Sequence, residues 1–334
     1  MGRWSARKVT GRRAGAVAVI MAGALALTAC GGAKVGASGG STSGSTGGGA
    51  KACGTVNLAD NAWVGYEADL ALVSYVMTNK LHCTVKVSHI NEQVSWQGFG
   101  SGQIDAILEN WGHDDLVAKY ITQQKVAQDA GQTGLKGIIG WYVPPWMAQK
   151  YPDITNWQNL NKYASMFKTS ESGGKGQLLD GDPSYVTNDE ALVKNLNLNF
   201  KVVNGGSETA LLQAFRQAEA KKTPLLAYFY DPQWFFSEMK LVKVNLPPYT
   251  AGCDAVPAKV ACDYPPYDLN KIVSKKFADA NGPAYKLIKN FNWTNDDQNQ
   301  VARAIAEEKK SPDAAAKEWV DANPAKVNAW LPAP

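Results

Sequence analysis

Apolar positions change period several times along this chain, and each change marks an element. Alternation over 55–58 predicts a strand, and helical spacing over 67–78 places Leu70, Leu72, Val73 and Val76 on one side. Alternation returns over 84–90. A short apolar run over 104–108 has the character of a buried parallel strand, and a helix is expected over 114–128. Strand–helix–strand–helix order predicts an α/β layer with a parallel sheet. A glycine-spaced stretch over 131–137 separates this unit from a strand over 138–143. Then come a helix capped by Thr155, a glycine-rich loop over 173–181 and a helix opening near Thr187. Strands over 200–203 and 225–230 enclose a helix over 207–221, which makes a second α/β unit. Beyond Pro247-Pro248 the pattern is mostly helical, over 284–290, 295–309, 312–322 and 324–330. No internal repeat of fixed period is visible. Two α/β units, with a helical tail returning to the first, are expected.

The start of the chain follows different rules. Arg3, Arg7, Lys8, Arg12 and Arg13 precede an uncharged, small and apolar stretch over 14–29 that ends Leu27-Thr28-Ala29-Cys30. A basic start, a short apolar run and small residues before a cysteine read as a secretory signal. The ending resembles the lipobox of bacterial lipoproteins, which implies a signal peptide over 1–29 and acylation of Cys30. Residues 30–52 are rich in Gly and Ser, as a flexible tether is. The formal charge of +4 changes meaning accordingly: without the five basic residues before Cys30 the remainder is 4 − 5 = −1. Nothing in that balance invites nucleic acid. Four cysteines remain, Cys53, Cys83, Cys253 and Cys262, and an even count in an exported chain reads as two disulfides. Cys253 and Cys262 would close a loop, leaving Cys53 to pair with Cys83.

Signatures of catalysis are scarce. The three histidines, His82, His89 and His113, have no metal-ligand spacing, and neither Gly-x-Ser-x-Gly nor a P-loop occurs. No enzyme activity, cofactor or metal is expected. Aromatic residues are abundant instead, with eleven Trp and thirteen Tyr, and several fall where the chain changes direction. Trp63 follows the first strand, Trp111 the third, Trp141 enters the second unit, Tyr185 precedes a helix and Tyr230 ends a strand. In open α/β sheets such strand ends line the ligand cleft. A trimethylammonium group offers no conventional hydrogen bond, and ring faces give it negative quadrupole and apolar surface together. Each desolvated contact contributes about 1–2 kcal/mol, so three or four rings approach half or more of the roughly 8 kcal/mol of a micromolar site.

Four stretches carry a specific likeness: Ala62-Trp63-Val64-Gly65-Tyr66-Glu67, Glu109-Asn110-Trp111, Trp141-Tyr142-Val143-Pro144 and Tyr228-Phe229-Tyr230-Asp231-Pro232-Gln233-Trp234. With them the chain resembles the solute receptors of ABC importers for glycine betaine, proline betaine and choline, over most of its length past residue 55. The resemblance implies an α/β, two-lobed periplasmic-binding-protein fold of type II, each lobe a mostly parallel sheet flanked by helices. Lobe 1 would comprise 53–136 and return over 235–334, with lobe 2 over 137–234. It also implies a cage of Trp63, Trp111, Trp141, Tyr185 and Tyr230. His113, Ser184, Asn188 and the backbone N–H groups of Tyr185-Val186-Thr187 would face a betaine carboxylate, since helix N-termini favour anions. Gly65 stands where choline-type members carry an acid, with Glu67 or Asp60 as substitutes. The expected partners are a small quaternary amine, glycine betaine first, and an ABC permease with its ATPase. The expected setting is extracytoplasmic, lipid-anchored to the cell membrane, with the receptor acting as a monomer. Two other readings remain: the same fold carrying choline, carnitine or another amine, and a secreted glycan-active enzyme using the rings as sugar platforms.

Overall fold

The protein is described from a computed structural model covering residues 53–333. The expected signal peptide over 1–29, the acylation of Cys30 and the tether over 30–52 lie outside the described residues. In chain order the first strands and helices are β1 (Thr55–Asp60), α1 (Val64–Leu81), β2 (Thr84–His89), α2 (Glu92–Ser101), β3 (Ala106–Asn110) and a short α3 (Asp114–Leu116). β4 (Ala127–Val143), α4 (Pro145–Lys150), α5 (Leu160–Tyr163), β5 (Gly176–Asp180), α6 (Asp189–Asn195), β6 (Phe200–Asn204), α7 (Glu208–Lys221), β7 (Ala227–Asp231) and β8 (Val242–Lys243) follow. The chain ends with β9 (Tyr267–Ser274), α8 (Lys275–Ala280), α9 (Pro283–Asn290), α10 (Asn295–Ala306), α11 (Pro312–Ala322) and α12 (Pro324–Trp330).

The sheet runs β2-β1-β3-β9-β4-β7-β5-β6, with β8 beside β4. Three parallel strands lie at each end: β2, β1 and β3 in the first half, β7, β5 and β6 in the second. Antiparallel pairs join them, and β4 belongs to both halves. Its residues up to Gly137 pair with β9, and from Ile138 onward they pair with β7. The glycines expected to separate two elements lie inside this one strand instead. Gly131 and Gly134 take φ of 95° and 91° where the β4–β9 register slips, so they serve as bulges that let a long strand bend. A side chain at Gly134 would place Cβ 2.4 Å from the Trp293 carbonyl oxygen.

Other departures have equally local causes. The helix expected over 114–128 stops early: a π-helical turn over Val117–Gln123 ends it, Lys125 takes positive φ, and β4 begins at Ala127. The loop expected over 173–181 contains β5. Asn156, not Thr155, caps a short helical turn, accepting a hydrogen bond from the Gln158 N–H. α2 escapes the helical pattern because Gly98 and Gly100 interrupt it, yet Asn91 caps it by accepting from the Val94 N–H. β9 is hidden by Asp268, Asn270 and Lys271. The Lys271 ammonium is fully buried and donates to the carbonyls of Lys289 and Phe291, the C-terminal end of α9.

α1 is buried nearly all round, as a helix between a sheet and a second helical layer must be. The sheet lies on one side and α9, α10 and α11 on the other. Three of the eleven tryptophans are explained here. Trp319 and Trp330 stack with centroids 5.6 Å apart, and Trp293 and Phe291 close the cluster. Both expected disulfides, Cys53–Cys83 and Cys253–Cys262, are present. The segment between β7 and β9 stays with the second half. β8 pairs with β4, Lys243 binds Asp263 at 2.7 Å, and the Asn195 amide donates to the carbonyls of Ala258 and Val260.

Candidate functional site

Sheet topology alone gathers six rings. Trp63 follows β1 and Trp111 follows β3, while Tyr185 comes from the connection between β5 and α6. Tyr228 and Tyr230 alternate on β7, so both face one way, and Tyr267 opens β9. They line a cleft of about 440 Å³ empty volume, part of it open to solvent, together with Glu92, His113, Ile139 and Val186. Ring centroids follow one another around it. Trp63 to Tyr185 is 6.1 Å, Tyr185 to Tyr228 6.1 Å and Tyr228 to Tyr230 6.3 Å; Tyr230 to Trp111 is 5.8 Å and Trp111 to Tyr267 5.5 Å. The walls come from both halves of the sheet.

Small residues make room for the rings. Gly137, where β4 changes partner, faces Trp111 so closely that a Cβ there would lie 2.6 Å from the ring. The indoles are fixed from behind: the Nε1–H groups of Trp63 and Trp111 donate to one oxygen of the buried Glu109 carboxylate, at 2.8 and 2.7 Å. The cleft is also bridged. Tyr185 Oη donates to the Ala62 carbonyl at 3.0 Å, and the Val64 N–H, at the start of α1, donates to Glu208 Oε2 at 2.8 Å. Glu208 Oε1 accepts from the Tyr230 hydroxyl at 2.7 Å and from the Gln233 amide.

The polar wall is a histidine beside a carboxylate. His113 Nε2 lies 2.8 Å from Glu92 Oε2, both largely buried, and Glu92 Oε1 has no protein partner. Burial alone would lower the His113 pKa, but Glu92, with Asp115 and Asp114, outweighs it and holds the imidazole above its ordinary value. Among the described residues no group of three or more His, Cys, Asp or Glu side chains is placed to hold a metal ion. No helix among them is long and apolar enough to cross a membrane.

Of the residues singled out in the sequence, Trp63, Trp111, Tyr185, Tyr230 and His113 line the cleft. Trp141 does not. It is fully buried two residues further along β4 than Ile139, and its Nε1–H is taken by Asp189 at 2.8 Å. Ser184 and Asn188, expected as side-chain partners of a carboxylate, are not among the residues lining the cleft, and their backbone N–H groups donate to Asp182 and Tyr264 Oη. Of the N–H groups expected to face an anion at Tyr185-Val186-Thr187, that of Tyr185 is bound to the Asp182 carbonyl and Val186 lines the cleft, while the helix expected near Thr187 begins at Asp189. Gly65 abuts the Gln298 side chain, while Asp60 and Glu67 line a separate cavity with His89. Sequence reasoning missed Tyr228, Tyr267, Glu92 and Ile139, and named Val186 for its backbone N–H alone. Tyr228 was within reach, two residues from Tyr230 on one strand. Tyr267 and Glu92 lie on β9 and α2, the elements whose patterns are broken.

Comparison with known proteins places these residues in context. A model of the substrate-binding domain of the ABC-type glycine betaine transport system matches residues 54–322. The chain is 27% identical over 269 residues to the trimethylamine N-oxide-binding protein of Pelagibacter ubique (strain HTCC1062), covering 74% of this chain and 81% of that one. In fold it is similar to an ABC-transporter choline-binding protein in complex with choline, with a TM-score of 0.68 at 18% identity over 83% of this chain and 91% of the other. It is also similar to lactococcal OpuAC in its closed-liganded conformation with glycine betaine, with a TM-score of 0.63 at 23% identity over 83% and 99%. The architecture is therefore the two-lobed α/β one expected from the sequence.

Proposed function

The chain belongs to the family of substrate-binding domains of ABC-type glycine betaine transport systems, and from that premise we propose that its six-ring cleft captures a small quaternary amine, glycine betaine first, for delivery to an ABC permease and its ATPase. The observation that carries this reading is the succession of rings from both halves of the sheet around one cleft. Ring faces stabilise a diffuse cation by about 1–2 kcal/mol per desolvated contact, and the methyl groups gain apolar contact as well. The betaine carboxylate would face the His113 imidazole. The cleft is lined by Glu92 alone among acidic residues, which leaves no second carboxylate for the paired-acid chemistry of glycoside hydrolysis. The protein binds and releases its ligand without chemical change.

Lobe 1 comprises β1 to β3 and returns with β9 and the helices after it. β4 goes with lobe 1 as far as Gly137 and with lobe 2 from Ile138, and lobe 2 runs on through β8. The turn Trp234–Ser237 packs on α10, while Lys243 and Asp263 hold the later part of the segment to lobe 2, so the return to lobe 1 expected from residue 235 is completed at Tyr267. The receptor works outside the cytoplasm as a monomer, held to the membrane by acylated Cys30.

A second reading is favoured by one atom. Glu92 Oε1 is buried without a partner, and a ligand hydroxyl, as in choline, would satisfy it where a carboxylate would be repelled. Titration calorimetry of the purified protein with glycine betaine, choline, carnitine and trimethylamine N-oxide tests both. Tight binding of at least one methylated amine is expected, with glycine betaine ahead. Choline ahead selects the second reading, and no binding by any of the four overturns the cage.

A further inference from the structure

Glu109 does not line the cleft, yet it holds two of the rings that do. It is carried by β3 two positions before Trp111, and its side chain is 1% exposed. One carboxylate oxygen accepts both indole N–H groups. The other accepts from the Gln298 amide of α10 at 2.6 Å. An indole can turn about its side-chain bonds, and holding Nε1 fixes the plane and therefore the direction of the π face. One carboxylate fixes two such faces, one from each of two separate turns of the chain.

The charge state of Glu109 follows from its neighbours. Asp69 of α1 lies beside it, and Gln298 Nε2 reaches Asp69 Oδ2 only at 3.4 Å. Burial pushes both carboxyls up, and the charge of Glu109 pushes Asp69 further, while three strong donors converge on Glu109. Three close donors on Glu109, against one long contact to Asp69, favour the negative charge on Glu109 and the proton of the pair on Asp69. Lys271 is the nearby cation, and its ammonium is engaged with the carbonyls of Lys289 and Phe291 instead of either acid. A carboxylate accepting an indole N–H also pushes electron density into the ring, which strengthens the attraction of its face for a cation.

We propose that Glu109 is the positioning residue and the hidden counter-charge of the cage, orienting Trp63 and Trp111 and supplying, from behind the rings, the negative charge that a bound quaternary ammonium meets. The inference rests on the cation reading of the cleft given above. It adds that selectivity for charge over shape depends on a residue that never touches the ligand.

The test compares each cation with its carbon isostere, in which tert-butyl replaces trimethylammonium: glycine betaine with 3,3-dimethylbutanoate, and choline with 3,3-dimethylbutan-1-ol. Calorimetry, with competition up to millimolar for weak ligands, is run on the purified protein and on Glu109→Gln. The expected result is a loss of at least about tenfold for the cation and less than about threefold for the isostere. Parallel losses for both would reduce Glu109 to a scaffold part and overturn the counter-charge. Unchanged binding of both would overturn the whole inference. Asp69→Asn provides a second arm even if Glu109→Gln fails to fold: cation affinity should stay within about threefold, and a tenfold loss would remove the charge from Glu109. A wild-type protein that binds neither cation sinks the functional reading itself, which is a distinct result.

Discussion

At the scale of single residues, two tryptophans from the same short list of candidates have opposite roles. Trp111 presents its ring to the cleft between Tyr230 and Tyr267, at 5.8 and 5.5 Å. Trp111→Ala should weaken binding of the preferred quaternary amine at least about tenfold, equivalent to ~1.4 kcal/mol, while calorimetric unfolding still shows one cooperative transition. Trp141 is buried and donates to Asp189, whose carboxyl is pushed up to about 8 by burial and the Asp180 charge, and which also accepts from Tyr264. Trp141→Phe should therefore cost about 1–3 kcal/mol of stability in urea with ligand affinity unchanged within about twofold. A fall in affinity matching that of Trp111→Ala would return Trp141 to the cage. The contrast shows what the sequence could say about the site. Trp63, Trp111 and Tyr230 were legible because each sits at a strand end, where position in the fold and exposure to the cleft coincide. Trp141 sits inside a strand, and its local motif gives no sign that Asp189, 48 residues away, claims its N–H.

Strands and helices were legible where the period of apolar residues ran unbroken, as in β1, β2, β6, α7 and α9 to α12, while the short α8 was not. They were obscured where one residue served two purposes. The glycines of β4 look like separators, yet they allow one strand to pass from β9 to β7 while leaving room for neighbouring side chains. Gly137 makes that point testable. Its missing Cβ would lie 2.6 Å from Trp111, and that ring is pinned by Glu109, so it has little freedom to retreat. Gly137→Ala should weaken ligand binding about fivefold or more. Gly174→Ala, in a loop with nothing within 4 Å of the added carbon, should leave affinity untouched while its positive φ costs about 1 kcal/mol of stability. Equal affinities for the two variants would mean that the β4 crossing does not shape the cage. β9 was illegible for a related reason. Its buried lysine serves the end of α9, and a charged residue in mid-strand breaks the alternation by which strands are recognised.

At the scale of the whole molecule the two lobes are tied by a titratable group. Glu208, at the start of α7, accepts the Val64 N–H at the start of α1, the hydroxyl of cage residue Tyr230 and the Gln233 amide. Burial, opposed by those donors and assisted by Glu67, pushes its carboxyl up from 4.5 to about 7. A carboxyl raised in this way binds a proton more tightly in the closed form than after opening exposes it. Its contribution to closure is therefore complete below the ordinary value of 4.5 and declines as pH rises through about 7. The unliganded protein should be more closed at pH 6 than at pH 8, read as a smaller radius of gyration in X-ray scattering. Glu208→Gln, which mimics the protonated acid, should hold the smaller radius at both. A ligand that bridges both lobes adds its own contacts to that balance, so saturating ligand should abolish the difference in the wild type. A radius independent of pH in the unliganded wild type would show that other bridges, such as Tyr185 to the Ala62 carbonyl and Arg216 to Glu307, set closure without Glu208.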